Sequence, residues 1–243
     1  MDERIVICAV DPAFAEEAAL LAQRIGARVS DEPGDKLTLL VDRDGISLTG
    51  YGLSLRGDFT QMLHRITRGR LSHEMLVKMT KTKSEHPVAV DATAGMGEDA
   101  LLLAAAGYEV ILFEQDAVIA ALLRDAMNRA KNHPGLSKAI GRMKLIEGDS
   151  IELMHDMVRS PEVVYLDPMF PERRKSGLIN KKLQLLQKLE QPCAQEEELL
   201  NAALFVRPKK IIIKRPLKGA YLAGRKPGYT VKGKAIRYDC IVP

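Results

Sequence analysis

The chain has 243 residues, 46% of them hydrophobic, and a formal net charge of +4, so it can bury a full core as one main domain with an extension. Its three cysteines (Cys8, Cys193 and Cys240) are odd in number and widely spaced, and its histidines show no ligand spacing, which argues against a disulfide scaffold and a metal site. No apolar run approaches the ~20 residues that span a bilayer and no signal peptide is evident, so we expect a cytoplasmic protein without a membrane partner.

Residues 1–56 predict a small N-terminal α/β extension. Apolar periodicity indicates a strand over Arg4 to Val10 and a helix over Ala13 to Ile25. A hairpin is expected from Lys36 to Thr49, because Asp42-Arg43-Asp44-Gly45 is a typical turn sequence.

Residues 57–83 predict a basic helical segment. Two short helices are expected over Phe59 to Thr67 and Ser72 to Lys81. The pattern places a break at Gly69 and a helix cap at Ser72. Three arginines cluster at this break, namely Arg65, Arg68 and Arg70.

The main domain, residues 84–243, begins with the pattern of a strand, a glycine turn and a helix. Val88-Ala89-Val90 predicts the strand, and the sequence DATAGMGEDA follows it and opens an Ala- and Leu-rich helix. Gly95 and Gly97 allow a ligand to approach the backbone, and the helix starting near Glu98 turns its free N–H groups toward that space. We therefore expect a cofactor at this turn.

Charge at the glycine turn favours one cofactor over another. The G-x-G-x-x-A spacing satisfies the dinucleotide pattern, which is a weak signal on its own. Glu98 and Asp99 place two carboxylates at the helix start, where they repel a pyrophosphate. S-adenosylmethionine (SAM) has no phosphate and carries two positive charges, which Asp91, Glu98 or Asp99 would attract. The same acids are also typical of an ordinary first helical turn.

Three further predicted strands end in acidic residues. Val110 to Phe113 precedes Glu114, Met143 to Glu147 precedes Asp149 and Ser150, and Val163 to Leu166 precedes Asp167. Glu114 stands 23 residues after Asp91, close to the ~20 residues at which an acid grips a ribose. The four acids should converge on one crevice, because ligands bind beyond the carboxyl ends of parallel strands. Asp149 or Ser150 would read the adenine amino group, although each such residue is also a common helix cap.

The tetrapeptide Asp167-Pro168-Met169-Phe170 predicts a planar amine as methyl acceptor. The Asp167 carboxylate and the Pro168 carbonyl can accept its two N–H bonds, and Phe170 can stack on the ring. Catalysis would then rest on positioning and electrostatics, with Asp167, Pro168 and Phe170 as catalytic residues. Asp-Pro is also an ordinary turn signal after a strand.

The remaining pattern alternates helices and strands, which indicates a Rossmann-like α/β fold with a mostly parallel sheet. The expected elements are helices over Asp116 to Lys131, Lys181 to Lys188 and Gln195 to Leu204, and a strand over Lys210 to Lys214. Asp239 to Val242 is expected as a final edge strand. The turn-rich segment Gly224 to Gly233 is expected as a flap or a hairpin tip.

In order, these motifs resemble class I SAM-dependent methyltransferases. The resemblance rests on DATAGMGEDA, Phe113-Glu114-Gln115, Gly148-Asp149-Ser150 and VVYLDPMFP. With Val77-Lys78, Arg173 to Ser176 and IIIKRP (Ile211 to Pro216), the chain from about Gly57 to Pro243 is similar to the bacterial ribosomal RNA small subunit methyltransferase J family.

That resemblance implies methylation of the N2 amine of a guanine in 16S ribosomal RNA. It also implies SAM contacts at Glu98, Asp99, Glu114, Gln115, Asp149, Ser150 and Asp167. Met169 departs from the pattern, since many amine methyltransferases have a second proline there.

Charge is unevenly distributed along the chain. Residues 84–170 contain 14 acids and 7 Lys and Arg, whereas residues 207–237 contain 11 Lys and Arg and no acid, and residues 56–83 contain 7 against 2. Basic segments beside an acidic cofactor region suit a phosphate backbone, although charge runs are also common on solvated faces. We predict RNA binding by Arg65, Arg68, Arg70, Arg173, Arg174 and Lys175. The family resemblance implies 16S ribosomal RNA or the 30S subunit as the partner.

Three function classes fit the sequence. An RNA guanine amine methyltransferase is favoured, and another nucleic-acid amine methyltransferase would use the same site. A nicotinamide oxidoreductase would use the same glycine turn. A noncatalytic RNA-binding factor would keep the fold alone, which the intact Asp167 and Phe170 argue against. The sequence leaves the oligomeric state open.

Overall fold

The computed structural model describes residues 4–34, 37–169, 181–189 and 193–243. Its strands are β1 (Ile5–Ala9), β2 (Arg28–Val29), β3 (Leu37–Asp42), β4 (Gly45–Gly50), β5 (Leu53–Leu55), β6 (Val88–Asp91), β7 (Glu109–Glu114), β8 (Met143–Glu147), β9 (Val163–Leu166), β10 (Lys210–Pro216), β11 (Tyr229–Lys232) and β12 (Ile236–Ile241). Its α-helices are α1 (Ala15–Ile25), α2 (Leu63–Ile66), α3 (Arg68–Leu71), α4 (Met75–Met79), α5 (Glu98–Ala105), α6 (Ala117–Ala130), α7 (Ser137–Ile140), α8 (Ser150–His155), α9 (Lys181–Leu189) and α10 (Glu196–Phe205).

The N-terminal strands form a five-stranded sheet in the order β2-β1-β3-β4-β5. The predicted hairpin is β3–β4, in which Asp42 pairs with Gly45 and only two residues make the turn. Helix α1 buries one apolar stripe, and α6 adds Val118, Ile119 and Leu122 to the same core. Strands β2 and β5 were not predicted, because two and three residues are too short to show a period.

The second sheet has seven strands in the order β11-β12-β10-β9-β6-β7-β8. Strands β10, β9, β6, β7 and β8 run parallel, and β12 and β11 add an antiparallel hairpin. The mostly parallel α/β sheet expected from the sequence is therefore confirmed.

Strand order determines where the site forms. From β6 the chain continues outward to β7 and β8, and then returns to β9 on the other side of β6. The connection after β6 thus leads toward β7, whereas the connection after β9 leads the opposite way, toward β10. A crevice opens between them at the carboxyl ends of the strands.

Two local predictions were wrong in the basic helical segment. Gly69 lies inside α3, and the chain breaks instead at Thr67, whose backbone is extended (φ −60°, ψ 143°). Ser72 is the C-cap of α3 and not the N-cap of α4, which is Glu74. Glu74 binds Arg65, a tertiary contact that local cap preferences do not include. Leu76 and Met79 of α4 are both buried in the core.

The predicted C-terminal edge strand is also in a different place. Strand β12 is an inner strand between β10 and β11. The edge is β11, which lies in the segment expected as a flap or hairpin tip, where Pro227 and two glycines obscured a four-residue strand. In the part of the chain that the structure describes, every helix is too short or too polar to cross a bilayer.

Candidate active site

The glycine turn after β6 has the backbone that only glycine adopts easily. Gly95 and Gly97 have φ of +52° and +75°. A Cβ at Gly97 would lie 2.7 Å from Leu123 Cδ1, so packing also requires glycine there. At Gly95 an added Cβ would meet nothing within 4 Å, because the turn is open at this point. The backbone there is accessible to a ligand.

Glu114 at the end of β7 is joined to this turn. The Gly95 N–H donates to Glu114 Oε2 at 2.8 Å, and the Asp116 N–H donates to Oε1 at 2.9 Å. The side chain is only 7% exposed, and burial raises its pKa to about 7 in spite of these two donors. The carboxylate has about four acceptor positions, so a further donor such as a ribose hydroxyl can still bind in addition to the backbone N–H groups.

A cavity of about 400 Å³ lies at the carboxyl ends of β6, β7, β8 and β9. Six of the predicted cofactor residues line it together: Gly95, Glu114, Gln115, Asp149, Ser150 and Asp167. Among the described residues, the lining contains four carboxylates and no Lys, Arg or His. Such a lining attracts a positively charged ligand with hydroxyl groups and repels phosphate. The residues present therefore fit SAM.

Asp149 and Ser150 follow β8. Asp149 Oδ1 accepts from the Ile151 N–H at 2.8 Å and caps α8. The residue therefore serves as a helix cap and also lines the cavity, so the two interpretations of its sequence position are compatible.

Four predicted cofactor residues lie outside the cavity lining. Asp91 is 1% exposed beneath the turn, where burial and the nearby Asp99 raise its pKa well above the usual range. Gly97 is buried and Glu98 is exposed to solvent. Asp99 instead accepts a hydrogen bond from the Tyr165 hydroxyl at 2.6 Å.

Asp167 follows β9 and is held from two sides. Its backbone N–H donates to Thr93 Oγ1 at 2.6 Å, and its Oδ2 lies 2.8 Å from Lys214 Nζ. Lys214 also lies 2.8 Å from Asp99 Oδ2. The sequence assigned no role to Lys214, because only the pairing of β10 with β9 brings it here. The one signal in the sequence was a lysine that directly follows the apolar run Ile211 to Ile213.

The remaining catalytic and RNA-binding predictions separate into three groups. Pro168 is buried and lines the cavity. Phe170, Arg173, Arg174 and Lys175 lie outside the described residues. Arg65 donates twice to Glu74, at 2.8 Å from both Nε and Nη2, whereas Arg68 and Arg70 are exposed on α3.

Known proteins match nearly the whole length of the chain. A family model described as putative SAM-dependent methyltransferase matches residues 21–243. Ribosomal RNA small subunit methyltransferase J of Pseudomonas syringae pv. tomato is 38% identical, over 92% of this chain and 86% of the relative. The protein of the same name from Thioalkalivibrio sulfidiphilus is 37% identical, over 99% and 98%.

A solved structure extends the comparison to the fold. The crystal structure of a SAM-dependent methyltransferase from Neisseria gonorrhoeae matches with a TM-score of 0.77 and 30% identity, covering 98% of this chain and 96% of that one. The match therefore includes both sheets and the strand ends that form the cavity.

Proposed function

Because the chain belongs to the SAM-dependent methyltransferase family, with relatives named ribosomal RNA small subunit methyltransferase J along nearly its whole length, we propose that it methylates the N2 amine of a guanine in 16S ribosomal RNA. The observation that carries this proposal is the acidic cavity with the Asp167-Pro168 dipeptide at its wall. A positively charged methyl donor and an amine acceptor can meet there.

Different cavity residues would bind different parts of the cofactor. Glu114 would accept from the ribose hydroxyls, and Gln115, Asp149 and Ser150 would bind around the adenine, as their positions at the ends of β7 and β8 suggest. The open backbone at Gly95 allows close approach. When bound, SAM supplies a methyl group whose C–S bond breaks, leaving the electron pair on sulfur, as the N–C bond forms.

Asp167 and Pro168 would position the acceptor. The Asp167 carboxylate and the Pro168 carbonyl would accept the two N–H bonds of the amine and direct its lone pair toward the methyl group. The surplus proton leaves the nitrogen for water as, or after, the new bond forms. The positive charge that develops on the nitrogen is favourable beside a carboxylate.

We propose that a basic surface, which includes the exposed Arg68 and Arg70, binds the RNA. We assign Arg68 and Arg70 to phosphate contacts, together with Arg173, Arg174 and Lys175. Arg65 would support this surface through its ion pair with Glu74. The substrate would be 16S ribosomal RNA, alone or in the 30S subunit, and we therefore propose a cytoplasmic location.

Methyl transfer to ribosomes tests the proposal directly. We expect label from tritiated SAM to enter 30S subunits taken from a strain that lacks this protein, and mass spectrometry to find it as N2-methylguanine. Asp167→Ala should abolish transfer while circular dichroism shows an intact fold.

Each alternative has its own outcome in these measurements. Label in another base would indicate a different nucleic-acid amine methyltransferase. No label in any RNA, with RNA binding retained, would indicate a noncatalytic factor. Calorimetry in which NAD binds and S-adenosylhomocysteine does not would indicate an oxidoreductase.

A further inference from the structure

Lys214 is a largely buried cation that bridges two carboxylates beside the cofactor cavity. Its Nζ lies 2.8 Å from Asp99 Oδ2 and 2.8 Å from Asp167 Oδ2. Strands β10 and β9 pair in parallel with Ile213 opposite Leu166, so the next residues, Lys214 and Asp167, lie side by side. The register of the sheet thus brings Lys214 and Asp167 into contact.

Because of this contact, the two oxygens of the Asp167 carboxylate have different roles. Lys214 binds Oδ2, which leaves Oδ1 as the oxygen for an incoming N–H donor. The backbone of Asp167 is held separately, because its N–H donates to Thr93 Oγ1. A carboxylate held at two points loses little further entropy when it binds an amine.

Several other groups act on the charge of this cluster. Asp99 also accepts from the Tyr165 hydroxyl, and the Tyr165 ring packs on Tyr238. The charged groups around the cluster are Asp91 below it, Arg65 paired with Glu74, exposed Glu98, and Arg215, which is paired with Glu196. Among the residues that the structure describes, Lys214 is the cation that contacts Asp99 and Asp167 directly.

The titration of the pair follows from this arrangement. Burial raises the pKa of Asp167 above its usual value, and the Lys214 ammonium opposes that effect. Burial also lowers the pKa of Lys214, but the two carboxylates outweigh it and the net pKa is raised. Lys214 therefore stays charged at every pH at which the protein works, and it favours the carboxylate form of Asp167.

We propose that Lys214 is a positioning residue for methyl transfer, which holds the Asp167 carboxylate charged and oriented for the guanine amine. The inference rests on the proposed function, since it requires an amine acceptor. It predicts that Lys214 affects the pH dependence of the reaction as well as its rate.

The test is the pH dependence of single-turnover methyl transfer to unmethylated 30S subunits at saturating SAM. For Lys214→Met, the half-maximal pH of the acidic limb should move up by about 1 to 3 pH units, because Asp167 has lost its cation. The rate near neutral pH should fall on the order of 10- to 100-fold. Lys214→Arg keeps the charge and should restore the wild-type midpoint.

Lys210→Met is the matched control. Lys210 lies on the same strand and the same face, four residues away, and its ammonium donates to the Met79 carbonyl at 3.0 Å. It has no contact with Asp167, so its pH profile should match that of the wild type.

A double variant keeps the test decisive if Lys214→Met does not fold. Lys214→Met with Asp99→Asn removes one of the two carboxylates left without a cation. Its midpoint should also move up, but by less than in Lys214→Met, because the Asp99 charge raises the pKa of Asp167.

The outcomes separate the inference from the proposed function. Wild-type protein that transfers no methyl group to guanine would overturn the proposed function and the inference with it. Active wild type together with an unmoved midpoint in Lys214→Met, or in the double variant, would overturn the inference alone, even if the rate fell.

Discussion

Glu114 should make the protein less stable as the pH rises through about 7. Burial raises the pKa of its carboxyl group from 4.5 to about 7. Between these values the folded protein keeps a proton that the unfolded chain has lost. The stabilising effect is therefore complete below the unfolded pKa and is lost as the pH rises through the folded pKa. At about 1.4 kcal/mol for each pH unit, the loss is about 3 kcal/mol of unfolding free energy.

Urea unfolding from about pH 5 to pH 8 measures this effect when the wild type is compared with Glu114→Gln. Glutamine does not titrate, so the difference in unfolding free energy between the two proteins isolates Glu114. The amide also meets the N–H groups of Gly95 and Asp116, which shifts the difference by about 1 kcal/mol at every pH without changing its slope. From pH 5 to pH 8, the unfolding free energy of the wild type should fall by about 2 to 3 kcal/mol relative to that of the variant.

Glu147→Gln is the matched control for this experiment. Glu147 pairs in register with Glu114 on the neighbouring strand β8, but its side chain is exposed. The difference in unfolding free energy between the wild type and Glu147→Gln should change little from pH 5 to pH 8. A wild-type-minus-Glu114→Gln difference that stays level from pH 5 to pH 8 would refute the assignment of a buried, proton-retaining carboxyl to Glu114.

Three further variants test the site and its supports. Gly97→Ala should cost about 2 kcal/mol or more in thermal unfolding, because its backbone is left-handed and the Cβ meets Leu123, whereas Gly69→Ala in α3 has open space and should be neutral or stabilising. Arg68→Glu should weaken RNA binding in filter assays and leave SAM affinity unchanged. Arg24→Glu on α1 makes the same charge change and should alter neither affinity; equal loss of both affinities in Arg68→Glu would contradict the assignment. Arg237→Met should cost about 3 to 5 kcal/mol in chemical denaturation, because it leaves the buried Asp239 without its cation, and a loss below about 1 kcal/mol would show that the pair is dispensable.

Much of the candidate site could be predicted from the sequence because its signals are local. The glycine turn needs a left-handed backbone at Gly95 and Gly97, and only a few neighbouring residues specify that geometry. Apolar runs that end in an acid identify strands and the residues at their carboxyl ends. In a parallel sheet those ends share one edge, so Glu114, Asp149 and Asp167 line one cavity as expected.

The family was also accessible from the sequence. The motif order and VVYLDPMFP implied it, and relatives that match nearly the whole chain confirm it. The assignment of roles to single residues stays a prediction, to be tested by the variants described above.

The sequence by itself determined the turn, the strand ends and the kind of cofactor, since these depend on periodicity, backbone freedom and local charge. Only the tertiary structure decided which charges neutralise one another. Asp99 faces Lys214 and Tyr165 instead of the cavity, and Arg65 binds Glu74. Strand β12 became an inner strand. The contacts of Lys214 and the position of β12 depend on strand order between residues far apart in the chain, and a local pattern carries no information about such distant partners. The Arg65–Glu74 pair spans nine residues and depends on how the chain turns between α2 and α4.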